Sequence, residues 1–266
     1  MRIIAGEFRR RLLKTPPDDS VTRPIPDRVK ESLFSLLRGH FEGATVFDGF
    51  AGTGAIGLEA VSRGASQVVL VERDRGIADI LRHNIDMLGV GERAELVVGD
   101  ALGPAAIARC PRPLTLAFLD PPYPLMRDAL SFRRVMGQLG ALIDLLSDDG
   151  FAVLRTPWPL RHQVGGAPVP DAPPEPPPKR TKRRKESRSA WRREAMDVSR
   201  SARPPEPTPY KDVQPEADGA TAEAEDVVEA PAPTYVDADL SLPNAVGPET
   251  HIYHSMAIHL YMRRRS

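Results

Sequence analysis

The sequence is poor in cysteine and lacks long apolar runs. The single cysteine, Cys110, excludes an intramolecular disulfide and a cysteine-based zinc site, as is typical of a protein from a reducing compartment. No stretch approaches the roughly 18 consecutive apolar residues of a membrane span, and the N-terminus has no apolar segment of signal-peptide length. These absences predict a soluble, cytoplasmic protein that does not act at a membrane.

Metal-ligating patterns are also missing. The six histidines are scattered along the chain. His251 and His254 are close together, but they lack the neighbouring acids or cysteines that a zinc site would add. We therefore expect no bound metal.

Net charge is zero, with 36 basic and 36 acidic residues. Such a balance argues against a polyanionic partner, but the charges are segregated. Lys179–Arg193 has nine basic residues and one acidic residue, whereas Asp212–Asp239 has nine acidic residues and no basic one. The basic run could bind nucleic acid nonspecifically, or it could be a solvated tail that pairs transiently with the acidic run.

Prolines are concentrated in residues 160–248, which contain 16 of the 28. This segment has no sustained apolar periodicity, so it cannot bury enough surface to offset the entropy lost on ordering. We expect residues 160–248 to be a disordered insertion in one loop. Such an insertion is tolerated because the cost of loop closure grows slowly with length.

Short apolar runs alternate with helical patterns between residues 44 and 156. This alternation predicts a doubly wound α/β domain, with a mostly parallel sheet covered on both faces. Two alternating runs around His254-Ser255 predict an antiparallel hairpin at the sheet edge, so the domain is assigned to residues 41–159 and 249–266. The predicted strands are Thr45–Phe47, Val68–Val71, Leu96–Val98, Leu114–Leu119 and Phe151–Leu154, and the predicted helices are Ala55–Arg63, Ile77–Leu88 and Phe132–Leu146.

Residues 1–40 are predicted to form a basic hairpin and a helix. Residues 1–30 contain eight basic and four acidic residues. Two apolar runs around a glycine turn indicate the hairpin, and Asp27 can cap a helix that ends at Gly39. The hairpin is either an arm that contacts phosphates or a solvated terminus without a ligand.

The glycine loop in Val46–Gly57, VFDGFAGTGAIG, matches the nucleotide-binding pattern G-x-G-x-x-G at residues 52, 54 and 57. No Gly-Lys-Ser/Thr follows, which excludes a P-loop. Glu72 lies 20 residues after Gly52, where a dinucleotide fold has its ribose-binding acid. Asp48, however, would repel a pyrophosphate and attract a cationic sulfonium cofactor. S-adenosylmethionine is such a cofactor, and a dinucleotide is the alternative.

A second motif, Asp120-Pro121-Pro122-Tyr123, follows the apolar run LTLAFL. An exocyclic amine of a base is a poor nucleophile because its lone pair is delocalised into the ring. A carboxylate and a backbone carbonyl that accept its two N–H bonds could localise that lone pair. The prolines fix the loop, and Tyr123 offers a ring on which a base can stack. By itself the tetrapeptide is also compatible with a plain surface loop.

Together the two motifs resemble those of the S-adenosylmethionine-dependent amino-methyltransferases, which have a class I, Rossmann-like fold. Further blocks are similar to the RsmD family, the bacterial 16S ribosomal RNA guanine-N2 methyltransferases. The resemblance covers roughly residues 1–156 and 249–263, and residues 160–248 have no counterpart in it. Pro26 departs from the family, which more often has Thr there. The blocks are Arg2-Ile-Ile-Ala-Gly6, Thr22–Phe34, Gly57–Ala65 and Val71-Glu72.

The resemblance implies roles for the positions that match the family's motifs. The cofactor would be S-adenosylmethionine, with Glu72 on the ribose hydroxyls and Asp100 on the adenine amine. The substrate would be 16S ribosomal RNA within the assembling small ribosomal subunit, and the protein would act as a monomer. The implied cofactor-binding residues are Asp48, Phe50, Gly52, Gly54, Glu72 and Asp100; the residues on the target amine are Asp120, Pro121, Pro122 and Tyr123; the RNA-binding residues are Arg2, Arg9, Arg10, Arg11, Lys14 and Arg23.

Several other functions compete with this interpretation. DNA adenine-N6 and cytosine-N4 methyltransferases share the Asp-Pro-Pro-Tyr motif, but only about one helix and one strand follow Tyr123 before the insertion, which leaves no obvious target-recognition domain. Glutamine methylation of a protein would fit better with Asn in place of Asp120. A noncatalytic RNA-binding or assembly factor and an oxidoreductase are the remaining alternatives, and the presence of both chemical motifs argues against the noncatalytic one.

Overall fold

The computed structural model describes residues 1–17, 25–165 and 234–265. Helices and strands alternate through most of this part of the chain. The helices are α1 (Asp27–Leu36), α2 (Gly57–Ser62), α3 (Arg75–Leu88), α4 (Pro104–Arg109), α5 (Tyr123–Arg127) and α6 (Ala129–Asp144). The strands are β1 (Thr45–Gly49), β2 (Gln67–Glu72), β3 (Ala94–Val98), β4 (Leu114–Leu119), β5 (Leu146–Pro157), β6 (Arg161–Gly165), β7 (Thr234–Asp237), β8 (Ala245–Tyr253) and β9 (Met256–Arg263).

A seven-stranded sheet has the order β3-β2-β1-β4-β5-β9-β8. The strands β1 to β5 run parallel to one another, whereas β9 pairs antiparallel with both β5 and β8. The chain moves outward from β1 to β3 and then returns to β4, so the strand order reverses between β1 and β4. Ligands of open α/β sheets bind at such a reversal, outside the carboxyl ends of the strands. The predicted doubly wound α/β fold, with a mostly parallel sheet and antiparallel strands at its C-terminus, is confirmed.

The central strands are apolar on both faces because their side chains alternate between two cores. Val46 and Val68 point into a core that also contains side chains of the N-terminal hairpin, α1, α2 and α3. Phe47 and Val69 point into the opposite core, which α4, α5 and α6 cover. A period of two with both faces covered explains why these strands are continuous apolar runs in the sequence.

Helix α3 shows how local sequence sets the element boundaries. Its N-cap, Asp74, accepts a hydrogen bond from the Ile77 amide at 2.9 Å, and Gly89 ends it in the left-handed region at φ 66°. Asp27, expected as the cap of α1, is instead the first helical residue after Pro26, and its carboxylate lies 3.5 Å from Arg2 Nε. Within the described ranges, no helix has both the length and the apolarity of a membrane span.

Strand β5 starts earlier than its apolar run indicates. Helix α6 ends at Asp144 rather than at Leu146, and β5 begins at Leu146 rather than at Phe151. The pairing with β4 skips between Leu114 and Leu116, so the polar residues before Phe151 form an irregular stretch of the ladder. Because the residues before Phe151 are polar, the apolar pattern of the sequence did not indicate where this strand begins.

The structure describes residues at both ends of the segment 160–248, which the sequence predicts to be disordered. Residues 161–165 and 234–237 pair as β6 and β7, and β8 begins at Ala245. Leu160 and Ala245 are buried in the core, so both ends of the segment make apolar contacts. The proline-rich composition of the segment gives no sign of these contacts. The expected disorder of residues 166–233 lies outside the described residues, as do the basic run at 179–193 and the part of the acidic run at 212–233.

Candidate active site

Four acidic residues lie at the same edge of the sheet. Asp48 belongs to β1 and Glu72 is the last residue of β2, while Asp120 directly follows β4 and Asp100 follows β3. Because these four strands run parallel, their carboxyl ends meet at one edge. The edge is therefore suited to a ligand that carries positive charge or several hydrogen-bond donors.

The two carboxylate oxygens of Asp48 differ in their hydrogen bonding within the described residues. The residue is 1% exposed, and Oδ2 accepts a hydrogen bond from the Gly57 amide at 2.8 Å. Among the described residues, none hydrogen-bonds the buried Oδ1. Burial raises the pKa of Asp48 from 3.8 to about 8; the Gly57 bond opposes this shift, and the negative charges of Asp120 and Glu72 add to it. A cation at Oδ1 would relieve both the missing bond and the excess negative charge.

Gly57 is a packing residue. A Cβ there would lie 2.6 Å from Leu70 Cδ2 and 3.0 Å from Asp48 Oδ2. A side chain would therefore push α2 away from β2 and displace the Asp48 carboxylate. The absence of a side chain lets the Gly57 amide reach Asp48.

Gly52 differs from Gly57 because its surroundings are open. It has φ 56°, and a Cβ there would meet no atom within 4 Å. Its amide donates to Glu72 Oε2 at 3.0 Å, and Glu72 Oε1 accepts from the Asp74 amide at 2.7 Å. These bonds fix Glu72 beside the loop. Phe50 (φ 69°, half-buried) and Gly54 (φ 92°) lie in the same loop, where the sequence analysis expected cofactor contacts.

Asp100 lies at the edge but is exposed. Its Oδ1 accepts from the Leu102 amide at 3.0 Å, and its Oδ2 lies 3.2 Å from Arg134 Nη2 on α6. Both side chains of this ion pair are about half exposed, so screening by solvent makes it weak. A ligand can displace Arg134 from Asp100 at small cost.

The Asp120–Tyr123 tetrapeptide connects β4 to α5. Pro121 is buried, and Pro122 occupies the N-cap of α5, so the prolines hold the turn directly after the strand. Asp120 accepts a hydrogen bond at Oδ1 from Arg155 Nε on β5. The Arg155 guanidinium also lies 5.8 Å from the centre of the Tyr123 ring.

The surroundings of Asp120 are largely apolar. A small cavity beside it is lined by Ile25, Leu33 and Ile258, together with Arg155. Burial raises the pKa of Asp120, and the charge and the hydrogen bond of Arg155 oppose that rise. The carboxylate thus lies in a poorly solvated site beside a fixed cation.

The N-terminal hairpin presents its basic residues to solvent. Arg2 and Leu12 form an antiparallel bridge, and Ile3 and Arg11 are joined by a backbone hydrogen bond of 2.9 Å. The expected RNA-binding residues Arg2, Arg9, Arg10, Arg11 and Lys14 are exposed, whereas Arg23 lies outside the described residues.

Glu59 on α2 fixes the hairpin backbone. Its Oε2 accepts from the Ile4 amide at 2.7 Å, and its Oε1 accepts from the Ala5 amide at 3.0 Å. The buried carboxylate is also paired with Lys30 Nζ at 3.2 Å and Arg63 Nε at 2.9 Å. Three hydrogen bonds and the ion pair with Lys30 engage both oxygens of this buried acid and fix the hairpin to the helix that follows the glycine loop.

Asn84 on α3 links the hairpin to the glycine loop directly. Its Oδ1 accepts from the Lys14 amide at 2.8 Å, while its Nδ2 donates to the Lys14 carbonyl at 3.0 Å and to the Thr53 carbonyl at 2.9 Å. Asn84 has no exposed surface. One buried amide therefore contacts both the proposed RNA arm and the proposed cofactor loop.

Sequence reasoning missed four residues of this region: Arg134, Arg155, Glu59 and Asn84. Each acts on a partner far away in the sequence, and none was given a role from its motif or spacing. The signal for Glu59 and Asn84 would have been a polar residue on the apolar face of a predicted helix. No local signal exists for Arg155, whose partner is set by the pairing of β4 with β5.

Other reactive side chains do not join the site. Cys110 is buried, which raises its pKa to about 12, so it is an inert thiol. His259 is held between Thr156 and Thr250 in the interior, and burial lowers its pKa to about 4. In the described part of the chain, no three His, Cys, Asp or Glu residues converge as metal ligands would.

Comparisons of the sequence place it among ribosomal RNA methyltransferases. The family profile described as "Conserved hypothetical protein 95" matches residues 1–159. Ribosomal RNA small subunit methyltransferase D of Escherichia coli K12 is 39% identical over 57% of this chain and 69% of its own length. YlbH of Bacillus subtilis, named as a candidate rRNA methyltransferase, is 35% identical over 58% of this chain and 80% of its own length.

The fold is also found in a solved structure. An Escherichia coli protein described as a candidate methyltransferase superposes with a TM-score of 0.57 at 23% identity, covering 99% of this chain and 97% of that one. At this level of identity the superposition supports the fold alone.

Proposed function

The chain belongs to the RsmD family, and from this premise we propose that it transfers a methyl group from S-adenosylmethionine to the exocyclic N2 of a guanine in 16S ribosomal RNA. One observation carries the proposal. The unengaged Oδ1 of Asp48 and the Asp120–Tyr123 tetrapeptide lie at the carboxyl ends of adjacent strands, β1 and β4. A site for a cation and a site for an amine are therefore side by side.

The residues at this edge fit the cofactor. Asp48 would accept a hydrogen bond from a cationic group through Oδ1, and Glu72 would receive hydroxyl groups beside the open backbone of Gly52. Asp100 would take a further donor. When bound, S-adenosylmethionine supplies an electrophilic methyl group on a positively charged sulfur. The excess of carboxylates favours that positive charge.

Asp120 would hold the target amine. Its carboxylate accepts one N–H, and the carbonyl of Pro121, which has no local N–H to compete for it, is suited to accept the second. Both bonds concentrate the nitrogen lone pair on the face opposite the acceptors. The Tyr123 ring, at the start of α5, provides a surface for the base to stack on.

The substrate proposal uses the relatives and the hairpin together. The Escherichia coli relative is named as acting on small-subunit ribosomal RNA. Exposed Arg9, Arg10 and Arg11 can contact phosphates while the hairpin backbone is held by α2. We infer that the protein acts as a monomer on RNA of the assembling small subunit, in the cytoplasm.

The substrate class can be tested by supplying labelled S-adenosylmethionine with naked 16S ribosomal RNA, small subunits and DNA in parallel. We expect label on ribosomal RNA in one or both of the first two. Asp120→Ala should abolish this transfer and leave cofactor affinity within about twofold, because the amine site alone is changed. Label on DNA alone, or full turnover by Asp120→Ala, would overturn the proposal.

The cofactor can be tested separately by thermal shift. S-adenosylmethionine should raise the midpoint of unfolding because it binds the folded state, whereas NADH should leave it unchanged. A shift with NADH and none with S-adenosylmethionine would indicate an oxidoreductase.

A further inference from the structure

Asp120 and Arg155 occupy matching positions on adjacent parallel strands. The pairing of β4 with β5 joins Leu119 to Leu154, so Asp120 and Arg155 are the next positions in register. Side chains at matched positions project from the same face of a sheet. Arg155 Nε donates to Asp120 Oδ1, with only 11% of the arginine and 15% of the aspartate side chain exposed. The strand register itself therefore produces this contact.

The guanidinium of Arg155 is held on two further sides. Its Nη1 lies 3.9 Å from Met256 Sδ on β9, and its central carbon lies 5.8 Å from the centre of the Tyr123 ring. At this distance the ring and the cation attract each other. One side chain thus contacts both Asp120 and Tyr123, the two residues to which the proposed function assigns the target base.

Several elements face the Asp120 carboxylate, and they differ in charge. Asp48 approaches from β1 as an acid whose ionised form repels the charge of Asp120, and Tyr123 approaches from the start of α5 with a neutral ring. The walls from α1 and β9, Leu33 and Ile258, are apolar. Burial favours the protonated acid, and Arg155 from β5 opposes it. Within the described residues, the positive charge of Arg155 is the one that acts on this carboxylate.

The charge state of Asp120 matters for the reaction. An ionised carboxylate only accepts hydrogen bonds, so it can hold an amine N–H and leave the nitrogen lone pair free. A protonated carboxyl can donate to that lone pair instead, which would block the nucleophile. Orientation matters too, because an acceptor has to lie in line with the N–H bond.

Resting on the proposed function, we propose that Arg155 is a positioning residue for methyl transfer. It keeps the Asp120 carboxylate negatively charged and occupies Oδ1, which turns Oδ2 toward an N–H of the target amine. Arg155 thereby acts through Asp120 and makes no contact with the methyl donor.

A titration of the cofactor-free protein tests the charge relation without any substrate. With aspartate carboxyls labelled by 13C, the Asp120 signal is identified by its loss in Asp120→Asn. Arg155→Met should raise the titration midpoint of Asp120 by about one to three pH units, whereas Arg155→Lys should shift it much less because the charge is kept. Arg82→Met, which removes an exposed arginine paired with Asp79, should shift nothing. An unchanged midpoint in Arg155→Met, or an equal shift in Arg155→Lys, would contradict the proposal.

The pH profile of methyl transfer tests the consequence for activity. Arg155→Met should move the acidic limb of kcat/KM to higher pH by the same amount, with the loss much larger at pH 6 than at pH 9. Cofactor affinity should be unchanged, and Arg155→Lys should restore part of the activity at low pH. A loss of equal size at all pH values would indicate a purely structural role. If the wild-type protein methylates no RNA, the proposed function fails, and the 13C titration still decides whether Arg155 controls Asp120.

Discussion

Asp48 is a buried acid whose surroundings favour the binding of a ligand more than they favour the stability of the fold. Oδ2 is bonded to the Gly57 amide, but burial and two nearby acids raise its pKa to about 8. A protein that needed only stability would gain by a neutral residue here. The unengaged Oδ1 is therefore best understood as a site kept for a cation, at a cost to the free protein.

Asp48→Asn should stabilise the cofactor-free protein and weaken cofactor binding. Because folding raises the pKa of Asp48 above 3.8, the stability that this group contributes is complete below that value and is lost as pH rises toward about 8. Asn does not ionise, so the gain in Tm over wild type should be larger at pH 8 than at pH 5. Affinity for S-adenosylmethionine should fall by roughly tenfold or more, the usual scale for a charged hydrogen bond.

Thermal denaturation at the two pH values and calorimetric titration with S-adenosylmethionine measure these effects. Asp79→Asn, an exposed position on α3, is the matched control and should change neither quantity. The account of Asp48 would be wrong if Asp48→Asn bound the cofactor normally, or if its gain in Tm were the same at both pH values.

Single residues were predictable where they directly end a strand. Asp48, Glu72 and Asp120 each follow or close an apolar run, so sequence order alone placed them at one edge. Arg155 could not be found in this way, because its role depends on which residue of β4 it faces. That register is decided by the whole sheet and by the irregular pairing at the start of β5.

Among the elements, α2 joins the two functional parts of the molecule. Its first residue, Gly57, bonds Asp48, and the later residues Glu59 and Ser62 bond the hairpin backbone. Ser62 Oγ accepts from the Phe8 amide at 3.0 Å and donates to the Ala5 carbonyl at 2.6 Å. Since these contacts use the backbone of the hairpin, its arginine side chains remain available for another partner.

Glu59→Gln should destabilise the protein strongly. The amide group would present a donor where the carboxylate now only accepts hydrogen bonds, and it would leave Lys30 buried without its counter-charge. Loss of one partner of a buried ion pair costs roughly 3 to 5 kcal/mol. Urea unfolding measures the change, and Glu95→Gln, in an exposed pair with Arg109, should cost less than about 0.5 kcal/mol. Equal effects of the two substitutions would show that the Glu59 cluster does not fix the hairpin.

Replacing Arg9, Arg10 and Arg11 together by Gln should weaken RNA binding without changing cofactor affinity. All three are exposed on the hairpin. Each phosphate contact that is lost should reduce the slope of log affinity against log salt by about one, so the slope should fall by up to about three. Binding titrations at several salt concentrations test this, with Arg82→Gln as the control. An unchanged slope would mean that the hairpin does not contact RNA phosphates.

The long elements followed from apolar periodicity, whereas the short ones did not. The five parallel strands and α3 are continuous or strongly periodic apolar patterns. The β6–β7 pair and the early start of β8 lie in proline-rich sequence, where Leu160 and Ala245 are isolated apolar residues. Their burial becomes evident only from the packing of the complete core.

At the scale of the whole molecule, the strand order explains why two motifs far apart in sequence act together. The reversal between β1 and β4 brings the glycine loop and the Asp120–Tyr123 tetrapeptide to neighbouring strand ends. The hairpin packs into the same core as α2 and α3, the helices that flank the glycine loop. The architecture thus brings together the proposed donor site, the proposed acceptor site and a basic arm, and guanine N2 in ribosomal RNA is the proposed target that uses all three.

The identity of the methylated nucleoside tests this central claim most directly. Small subunits and 16S ribosomal RNA that lack the modification would be incubated with labelled S-adenosylmethionine, digested to nucleosides and separated by chromatography, with Asp120→Ala as the control. The account predicts that the label is found in N2-methylguanosine and is absent with Asp120→Ala. Label in a methylated adenosine or cytidine, or label that persists with Asp120→Ala, would contradict it.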